Sequence, residues 1–281
     1  MFRSLNPGAI GVKVKDLAEG LELAARHGFG GYHFNLAEAA QLGVARVREL
    51  TQATGVRLAA WGFPVEFRGE EKVYQQGMEE LPRLARVAVD LGVLRTATWI
   101  TPCSDQLTYE ENYAFHLRRL KPAAAILADH GIWFGLEYVS PRNSWTSKKY
   151  PFIHAMAQMR ELAANVGTKV GFLLDSWHWY NAAETTGDLG RLRPEWVVDV
   201  HVNDAPAIPR GELVDNIRGL PGESGVIDLK GFLGTLKQIG YDGPVMVEPF
   251  SERVRQLPAE EACQVTAAAL KKVWTQAGLS G

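Results

Sequence analysis

The chain has 281 residues, 46% of them hydrophobic and 22% charged, a composition typical of a globular protein with ample material for a core. Its formal net charge is -2 and it has no long basic block, so we expect no nucleic-acid-binding surface and no surface for acidic membranes. Two distant cysteines, no signal-peptide pattern and no apolar run long enough to cross a bilayer favour a cytoplasmic protein without disulfides.

Short β-branched or aromatic runs alternate with longer amphipathic segments along the chain. The short runs predict eight strands, near 9–14, 31–35, 57–65, 94–101, 132–139, 170–177, 197–203 and 244–249. The amphipathic segments predict helices over 16–27, 36–53, 70–91, 108–130, 149–165, 228–239 and 258–276, with a shorter one over 184–194. Glycine-containing turns follow several of these segments, which is typical of helix ends.

Eight strand–helix pairs predict an α/β protein, a TIM barrel of the (β/α)₈ type that forms one domain over residues 1–281. The competing architecture is a doubly wound open sheet. That fold usually carries a glycine-rich phosphate loop after its first strand, and the segment at 11–20 (GVKVKDLAEG) does not supply one. The longest irregular stretch, 204–227, is expected to be functional, because loops of that length are uncommon inside a compact domain.

Four polar residues each interrupt an apolar, strand-like run. They are Glu137 in IWFGLEYV, Asp175 in VGFLLDSWHWY, His201 in VVDVHVNDA and Glu248 in PVMVEPF. An uncompensated buried carboxylate costs roughly several kcal/mol, so such groups are rare inside proteins unless they are paired or bound to a metal. Each residue alone is equally consistent with a buried ion pair or hydrogen bond. Together, at corresponding depths, they predict a reaction centre.

These four residues fall near the ends of the predicted strands 5, 6, 7 and 8. Active sites of TIM barrels lie at the carboxyl ends of the strands, and neighbouring strands are ~4.8 Å apart, so four such side chains can converge on one ion. Oxygen-rich ligation with a single imidazole suits one divalent cation, Mn²⁺, Mg²⁺ or Co²⁺, with Zn²⁺ as a further candidate.

The segments GLEYV, LLDSWH, VHVNDA, RGLPGESGVIDL and GYDGPVMVEPF resemble the xylose isomerase-like TIM barrels, and in particular the sugar phosphate isomerase/epimerase group. That group includes ketose 3-epimerases, hydroxypyruvate isomerase and inosose isomerase. The resemblance covers nearly the whole chain and is strongest from 132 to 250, but its motifs do not specify one substrate. It implies that Glu137, Asp175, His201 and Glu248 are the metal ligands, that the two glutamates are also the acid/base pair, and that His178 and Arg218 contact the substrate.

The chemistry expected of such a site is proton abstraction and return. A metal that binds a carbonyl and a neighbouring hydroxyl acidifies the C–H bond between them and stabilises the enediolate that forms. Return of the proton to the opposite face gives epimerisation, and return to the neighbouring carbon gives isomerisation. We therefore expect a sugar isomerase or epimerase that acts on a small ketose-, inosose- or polyol-type carbonyl compound, with an unphosphorylated substrate favoured because no phosphate cradle is evident.

Several other residues have two interpretations. Trp61 and Trp99 lie near predicted strand ends and could form a stacking wall for a sugar, although core packing is the commoner role of tryptophan. Asn203 and Asp204 could support the site or form a turn. Asp199 shares a face with His201 by strict alternation, and the sequence offers no firm account of it.

Other functions remain open at this stage. A lyase resembling inosose dehydratase would use the same metal site. A hydrolase resembling the apurinic-site endonucleases would carry histidines on strands 2 to 4 and a DxH pair in the loop after strand 7. The ends of strands 3 and 4 read AAWGFP and ATWITP, without histidine, and the loop reads NIR where DxH would stand. A barrel that keeps a metal without catalysis is a further alternative. The sequence leaves the oligomeric state open, a homo-oligomer included.

Overall fold

A computed structural model of the protein describes residues 1–280, and in it eight parallel strands close into a barrel. In order around the barrel they are β1 (Phe2–Leu5), β2 (Gly31–Phe34), β3 (Arg57–Gly62), β4 (Arg95–Trp99), β6 (Trp133–Glu137), β8 (Val170–Asp175), β9 (Val197–Val202) and β10 (Pro244–Val247). Parallel pairing of Ser4 with Met246 closes the ring. Two short strands, β5 (Cys103–Ser104) and β7 (Tyr150–Pro151), form a separate antiparallel pair. The predicted TIM barrel is confirmed.

Helices follow the strands and surround the barrel. They are α1 (Leu17–Arg26), α2 (Leu36–Leu42), α3 (Val44–Thr54), α4 (Glu71–Leu91), α5 (Tyr109–Asp129), α6 (Arg142–Trp145), α7 (Met156–Val166), α8 (Ser176–Asn181), α9 (Thr186–Leu189), α10 (Leu229–Gln238), α11 (Glu252–Arg255) and α12 (Ala259–Gln276). Within residues 1–280, none of the helices combines the length and the apolar character needed to cross a membrane.

The first predicted strand was wrong. The run at 9–14 is not a strand: Gly8–Ile10 is a single 3₁₀ turn that ends at Gly11, whose φ of 78° is left-handed. The barrel instead begins with Phe2–Leu5. The run 9–14 is apolar because Ile10 and Val12 are buried in the loop that follows β1. A buried loop of this kind has the same apolar sequence pattern as a strand.

Three predicted helices differ in extent. The segment 36–53 forms two helices, because Gly43 adopts a φ of 85° that ends α2 and starts α3. The helix predicted over 149–165 begins only at Met156, after the short strand β7. The helix predicted over 184–194 shrinks to the four residues of α9.

Close packing fills the barrel beneath the strand ends. Gly135, two residues before Glu137, has no room for a side chain, because a Cβ there would lie 3.1 Å from the Cβ of Ala97 and 3.0 Å from that of Val198. The strand β8 is buried at all six of its positions. The side chains at the carboxyl ends therefore stand on a tightly packed and apolar base, which restricts their movement.

Candidate active site

The four predicted ligands meet at the carboxyl end of the barrel. Glu137 and Asp175 are the last residues of β6 and β8, His201 lies one residue before the end of β9, and Glu248 follows β10 directly. One ligand atom from each of these side chains lies within 4.8 Å of the others. Since β6, β8, β9 and β10 are consecutive barrel strands, the cluster spans half of the barrel mouth.

The donor set fits a divalent cation. Glu137 Oε1 and His201 Nδ1 are both buried, and neither has a hydrogen-bond partner among the described residues. A buried polar atom without a partner is costly, and two such atoms of a carboxylate and an imidazole in one cluster are what a bound ion would satisfy. Three carboxylates and one imidazole suit Mn²⁺, Mg²⁺, Co²⁺ or Zn²⁺.

Asp175 is held by backbone and side-chain donors that fix its orientation. Its Oδ1 accepts a hydrogen bond from the amide of Trp177 at 2.7 Å, because Asp175 is also the N-cap of α8. The same oxygen accepts from the side-chain amide of Asn203 at 2.9 Å. Asn203 also donates to the carbonyl of Glu248 at 3.2 Å, so it links two of the predicted ligands.

The long loop after β9 delivers Arg218 into this cluster. Its guanidinium NH1 donates to Asp175 Oδ2 at 2.7 Å and to Glu248 Oε2 at 2.9 Å. Its NH2 donates to Asp215 Oδ1 at 2.9 Å, a partner that the sequence did not reveal. The Arg218 side chain is only 3% exposed, so the loop places a buried positive charge against two of the carboxylates.

His178 lies beside the same cluster, on α8. Its Nδ1 lies 3.2 Å from the amide of Ser140 and its Nε2 lies 3.4 Å from NH2 of Arg218. A neutral ring has only one acceptor nitrogen, and the shorter contact assigns that role to Nδ1 and the proton to Nε2. That Nε2 faces Glu137 Oε1 at 3.8 Å. Burial, followed by the charges of Arg218 and His201, holds the pKa of His178 well below its ordinary value, so this imidazole is neutral.

In the protein without a bound metal, the pKa values of the two glutamates are shifted in opposite directions. Burial, and then the charge of Glu248, raises the pKa of Glu137 well above its ordinary value. Burial would also raise the pKa of Glu248, but the charge of His201, followed by the charge and hydrogen bond of Arg218, outweighs it and lowers that pKa to about 2. Two carboxyl groups whose pKa values are driven apart are a common arrangement for acid/base work.

Asp204, at the start of the 204–227 loop, anchors that loop to the barrel. Its Oδ2 accepts from the amides of Ser224 at 3.0 Å and Gly225 at 2.7 Å, and its Oδ1 accepts from that of Ile227 at 3.0 Å. The backbone of Asp204 also pairs with Gly219, next to Arg218. The carboxylate therefore supports the site by fixing the loop that carries the arginine.

A cavity of about 700 Å³ opens from His201 across the ends of β1, β2 and β3. Trp61 lines it but is 2% exposed, and its indole nitrogen donates to the carbonyl of Val93, so this ring is largely part of the core. Trp99, in contrast, is 46% exposed at the end of β4, with the guanidinium of Arg68 packed 4.3 Å from its ring. Of the two tryptophans, Trp99 offers the accessible face.

Sequence reasoning missed one member of this region. His33, in β2, donates through Nε2 to Asp199 Oδ2 at 2.8 Å, and both side chains line the cavity. The signal was present, since His33 is a polar residue inside the apolar run GYHFN, the same pattern that singled out the four ligands. It also gives Asp199 the partner that the sequence lacked.

Comparison with known proteins places this site in a family. A family model described as the xylose isomerase-like TIM barrel matches residues 21–273. The chain belongs to this family. The predicted resemblance is thus confirmed, and four of its five motifs contain the strand ends where the four predicted ligands converge.

Individual relatives agree with this assignment. The inosose isomerase of Bacillus licheniformis is 26% identical over 193 residues, which cover 68% of this chain and 66%, slightly less than two thirds, of that protein. A xylose isomerase domain protein from Alicyclobacillus acidocaldarius is 31% identical with a TM-score of 0.86, over 99% of both chains. The IolI protein, solved with a bound zinc atom, shares the fold at 24% identity and a TM-score of 0.79, over 98% of this chain and 99% of that one.

Proposed function

We propose that this protein is a divalent-metal-dependent isomerase or epimerase of a small sugar or polyol carbonyl compound of the ketose or inosose type. The observation that carries the proposal is the cluster of Glu137, Asp175, His201 and Glu248, in which two buried ligand atoms have no partner among the described residues. The inosose isomerase relative is consistent with this class of reaction.

A cation bound by these four residues would polarise a substrate carbonyl and stabilise the negative charge that develops on proton removal. The chain's own residues would move the proton. Of the two glutamates, Glu137 and Glu248, one would take the proton and the other would return it. Because β8 and β9 separate the strands that carry these glutamates, they can act on different sides of a substrate held between them.

Two further residues would hold the substrate oxygens. His178 presents the Nε2–H of a neutral imidazole next to Glu137. A neutral imidazole can donate a hydrogen bond to a carbonyl or alkoxide oxygen and remain uncharged. Arg218 keeps its Nε free of partners among the described residues while NH1 is used by the carboxylates. We assign the guanidinium of Arg218 as a donor to the substrate. Trp99, at the rim, would pack on the apolar face of the ring.

The substrate that suits this cavity is neutral. Among the residues that line it, none is lysine or arginine, whereas Glu38 and Asp199 are acidic. Binding a phosphate dianion would require a cation that is free to pair with it, and Arg218, beside the ligand cluster, already pairs with Asp175, Glu248 and Asp215. We therefore propose an unphosphorylated substrate, which discriminates this protein from a sugar phosphate isomerase.

The experiment is a turnover screen with defined metals. Protein stripped with a chelator is reloaded with Mn²⁺, Mg²⁺, Co²⁺ or Zn²⁺ and incubated with inososes, ketohexoses, ketopentoses and their phosphates, and products are identified by NMR. Epimers or aldose–ketose pairs support the proposal, and a diketone, or its enol tautomer, formed with loss of one water would assign a dehydratase instead. A protein that binds none of these ions, by calorimetry and elemental analysis, would contradict the metal centre itself.

A further inference from the structure

A line of buried polar side chains connects His201 to the opposite side of the barrel. Ser4 Oγ on β1 lies 2.8 Å from His33 Nδ1 on β2, and His33 Nε2 lies 2.8 Å from Asp199 Oδ2 on β9. The same oxygen of Asp199 lies 3.8 Å from Nε2 of His201, close enough for a charge contact though longer than a hydrogen bond. Three of the barrel's strands thus contribute to one chain of polar groups.

The two nitrogens of His201 face different groups. Nδ1 points toward Glu248 Oε2, 3.5 Å away, and has no hydrogen-bond partner among the described residues. Nε2 points toward Asp199. An imidazole that binds a cation must offer a lone pair, and its other nitrogen then carries the proton, which is commonly held by a carboxylate. In this arrangement Nδ1 is the ligand atom and Nε2 carries the proton.

We propose that Asp199, held in place by His33 and Ser4, is a positioning residue that keeps the proton of His201 on Nε2 and so presents Nδ1 to the metal. The inference rests on the proposed metal centre and extends it to residues of β1 and β2, on the far side of the barrel. It also accounts for a carboxylate that is 3% exposed yet does not belong to the ligand cluster.

Two other interpretations of this group are disfavoured by its geometry. Ser4, His33 and Asp199 resemble a nucleophilic serine triad, but Ser4 is 1% exposed and does not line the cavity, so no substrate can reach its hydroxyl. His33, Asp199 and His201 could be taken for a second metal site. However, the 2.8 Å between His33 Nε2 and Asp199 Oδ2 is a direct hydrogen bond, which leaves no room for an ion between those two atoms.

The direction of the hydrogen bonds around Asp199 allows its role to be tested by substitution. Asp199 Oδ1 already accepts from the amide of Val200 at 2.9 Å, so Oδ2 is the oxygen that accepts from His33 at 2.8 Å and faces Nε2 of His201 at 3.8 Å. In an Asp199→Asn variant the amide oxygen would keep the bond to Val200, and the NH₂ group would then face His33 and His201 as a donor. That group favours a lone pair on Nε2 of His201 and moves the ring proton to Nδ1, where it blocks the metal.

The test measures metal affinity by calorimetry for wild type, Asp199→Asn, His33→Gln and His33→Leu. Loss of such an outer partner typically weakens metal binding about 10- to 100-fold, and we expect Asp199→Asn to fall in that range despite its unchanged shape. His33→Gln, which can still donate to Asp199, should lose less than His33→Leu. Glu184→Gln is the matched control, because it also converts a hydrogen-bonded, partly buried carboxylate to an amide, but this carboxylate contacts Tyr138 and Met156 rather than His201. Its metal affinity should stay within about twofold of wild type.

A second measurement reports the proton directly. In Zn²⁺-loaded protein labelled with ¹⁵N-histidine, His201 should show a slowly exchanging proton on Nε2, and Asp199→Asn should lose that signal while keeping the folded spectrum. Wild-type affinity in Asp199→Asn, or the proton of His201 on Nδ1 in the loaded wild type, would overturn this inference and leave the metal centre standing. Failure of the wild type to bind any of the ions would instead overturn the metal centre and the inference with it.

Discussion

Arg218 and Asp175 form a buried ion pair across the centre of the site, with 2.7 Å between NH1 and Oδ2 and side-chain exposures of 3% and 0%. Both charges are removed from water, so each depends on the other and on Glu248, which shares the same guanidinium nitrogen. The arginine therefore has two tasks. It offsets carboxylate charge in the protein alone, and it places a donor next to the substrate.

Replacement of Arg218 should separate these tasks. Arg218→Met leaves Asp175 and Glu248 without their cation, a loss that costs about 3–5 kcal/mol when one partner of a buried pair is removed. We expect a lower Tm in chelator, a larger rise in Tm on adding metal than in wild type, and turnover reduced at least about 100-fold with metal content intact. Thermal shift and elemental analysis measure both effects. Arg218→Lys should not restore turnover, because an ammonium cannot reproduce the planar fork; full activity in either variant would count against a substrate contact.

The glutamates can be tested by isosteric change. Glu137→Gln and Glu248→Gln keep an oxygen for the cation but cannot carry a proton. We expect each to lower kcat by about 100-fold or more at saturating metal, since general acid–base catalysis commonly contributes about 10²–10⁴-fold. Deuterium from solvent should enter the substrate carbon with wild type and be lost with a variant that blocks abstraction. Metal-loaded glutamine variants with near wild-type rates would limit the carboxylates to ligation and make His178 the next candidate base.

The sequence predicted the barrel and the positions of Glu137, Asp175, His201 and Glu248 because each signal is local. A polar residue near the end of an apolar run indicates the carboxyl end of a barrel strand, where active sites of this fold lie. The order of the strands around a barrel follows their order in the chain. The first strand was missed for a related reason. Ile10 and Val12 are buried in a loop, and in the sequence alone a buried apolar loop shows the same pattern as a strand.

Partners that lie far apart in sequence could not be predicted. His33 and Asp199 are separated by 166 positions, and only barrel closure brings β2 and β9 near enough for a hydrogen bond. Asp215 was not predicted as a partner of Arg218 because their contact depends on the fold of an irregular loop. Such pairings depend on tertiary geometry, which periodicity and composition do not encode.

The titration of Glu184 should make the free energy of unfolding depend on pH. Burial raises the pKa of its carboxyl group to about 7, against hydrogen bonds from Tyr138 and Met156 that act to lower it. The pKa of Glu184 in the folded state lies above its unfolded value near 4.5, so the native state binds this proton more tightly. The proton's contribution to the free energy of unfolding is therefore fully present below pH 4.5 and is lost as the pH rises through 7. The loss is about 3 kcal/mol at most. Urea unfolding at pH 5 and pH 8 should show a smaller difference for Glu184→Gln than for wild type, and equal differences would contradict the shift.

Asp204 should control the loop without affecting the metal. Its carboxylate accepts from the amides of Ala205, Ser224, Gly225 and Ile227, so Asp204→Ala leaves four backbone donors unpaired and frees the segment that carries Arg218. Each buried donor left without a partner costs about 1–3 kcal/mol, which a mobile loop can avoid by exposing the donors to water. We expect faster proteolysis within 206–226, a kcat lowered about tenfold or more, and metal affinity unchanged, because no ligand lies on the loop. Asp228→Ala is the matched control: this residue caps α10 at the far end of the same region, so its loss should lower Tm while kcat stays near wild type. Equal kcat values for the two variants would show that Asp204 has only a structural role.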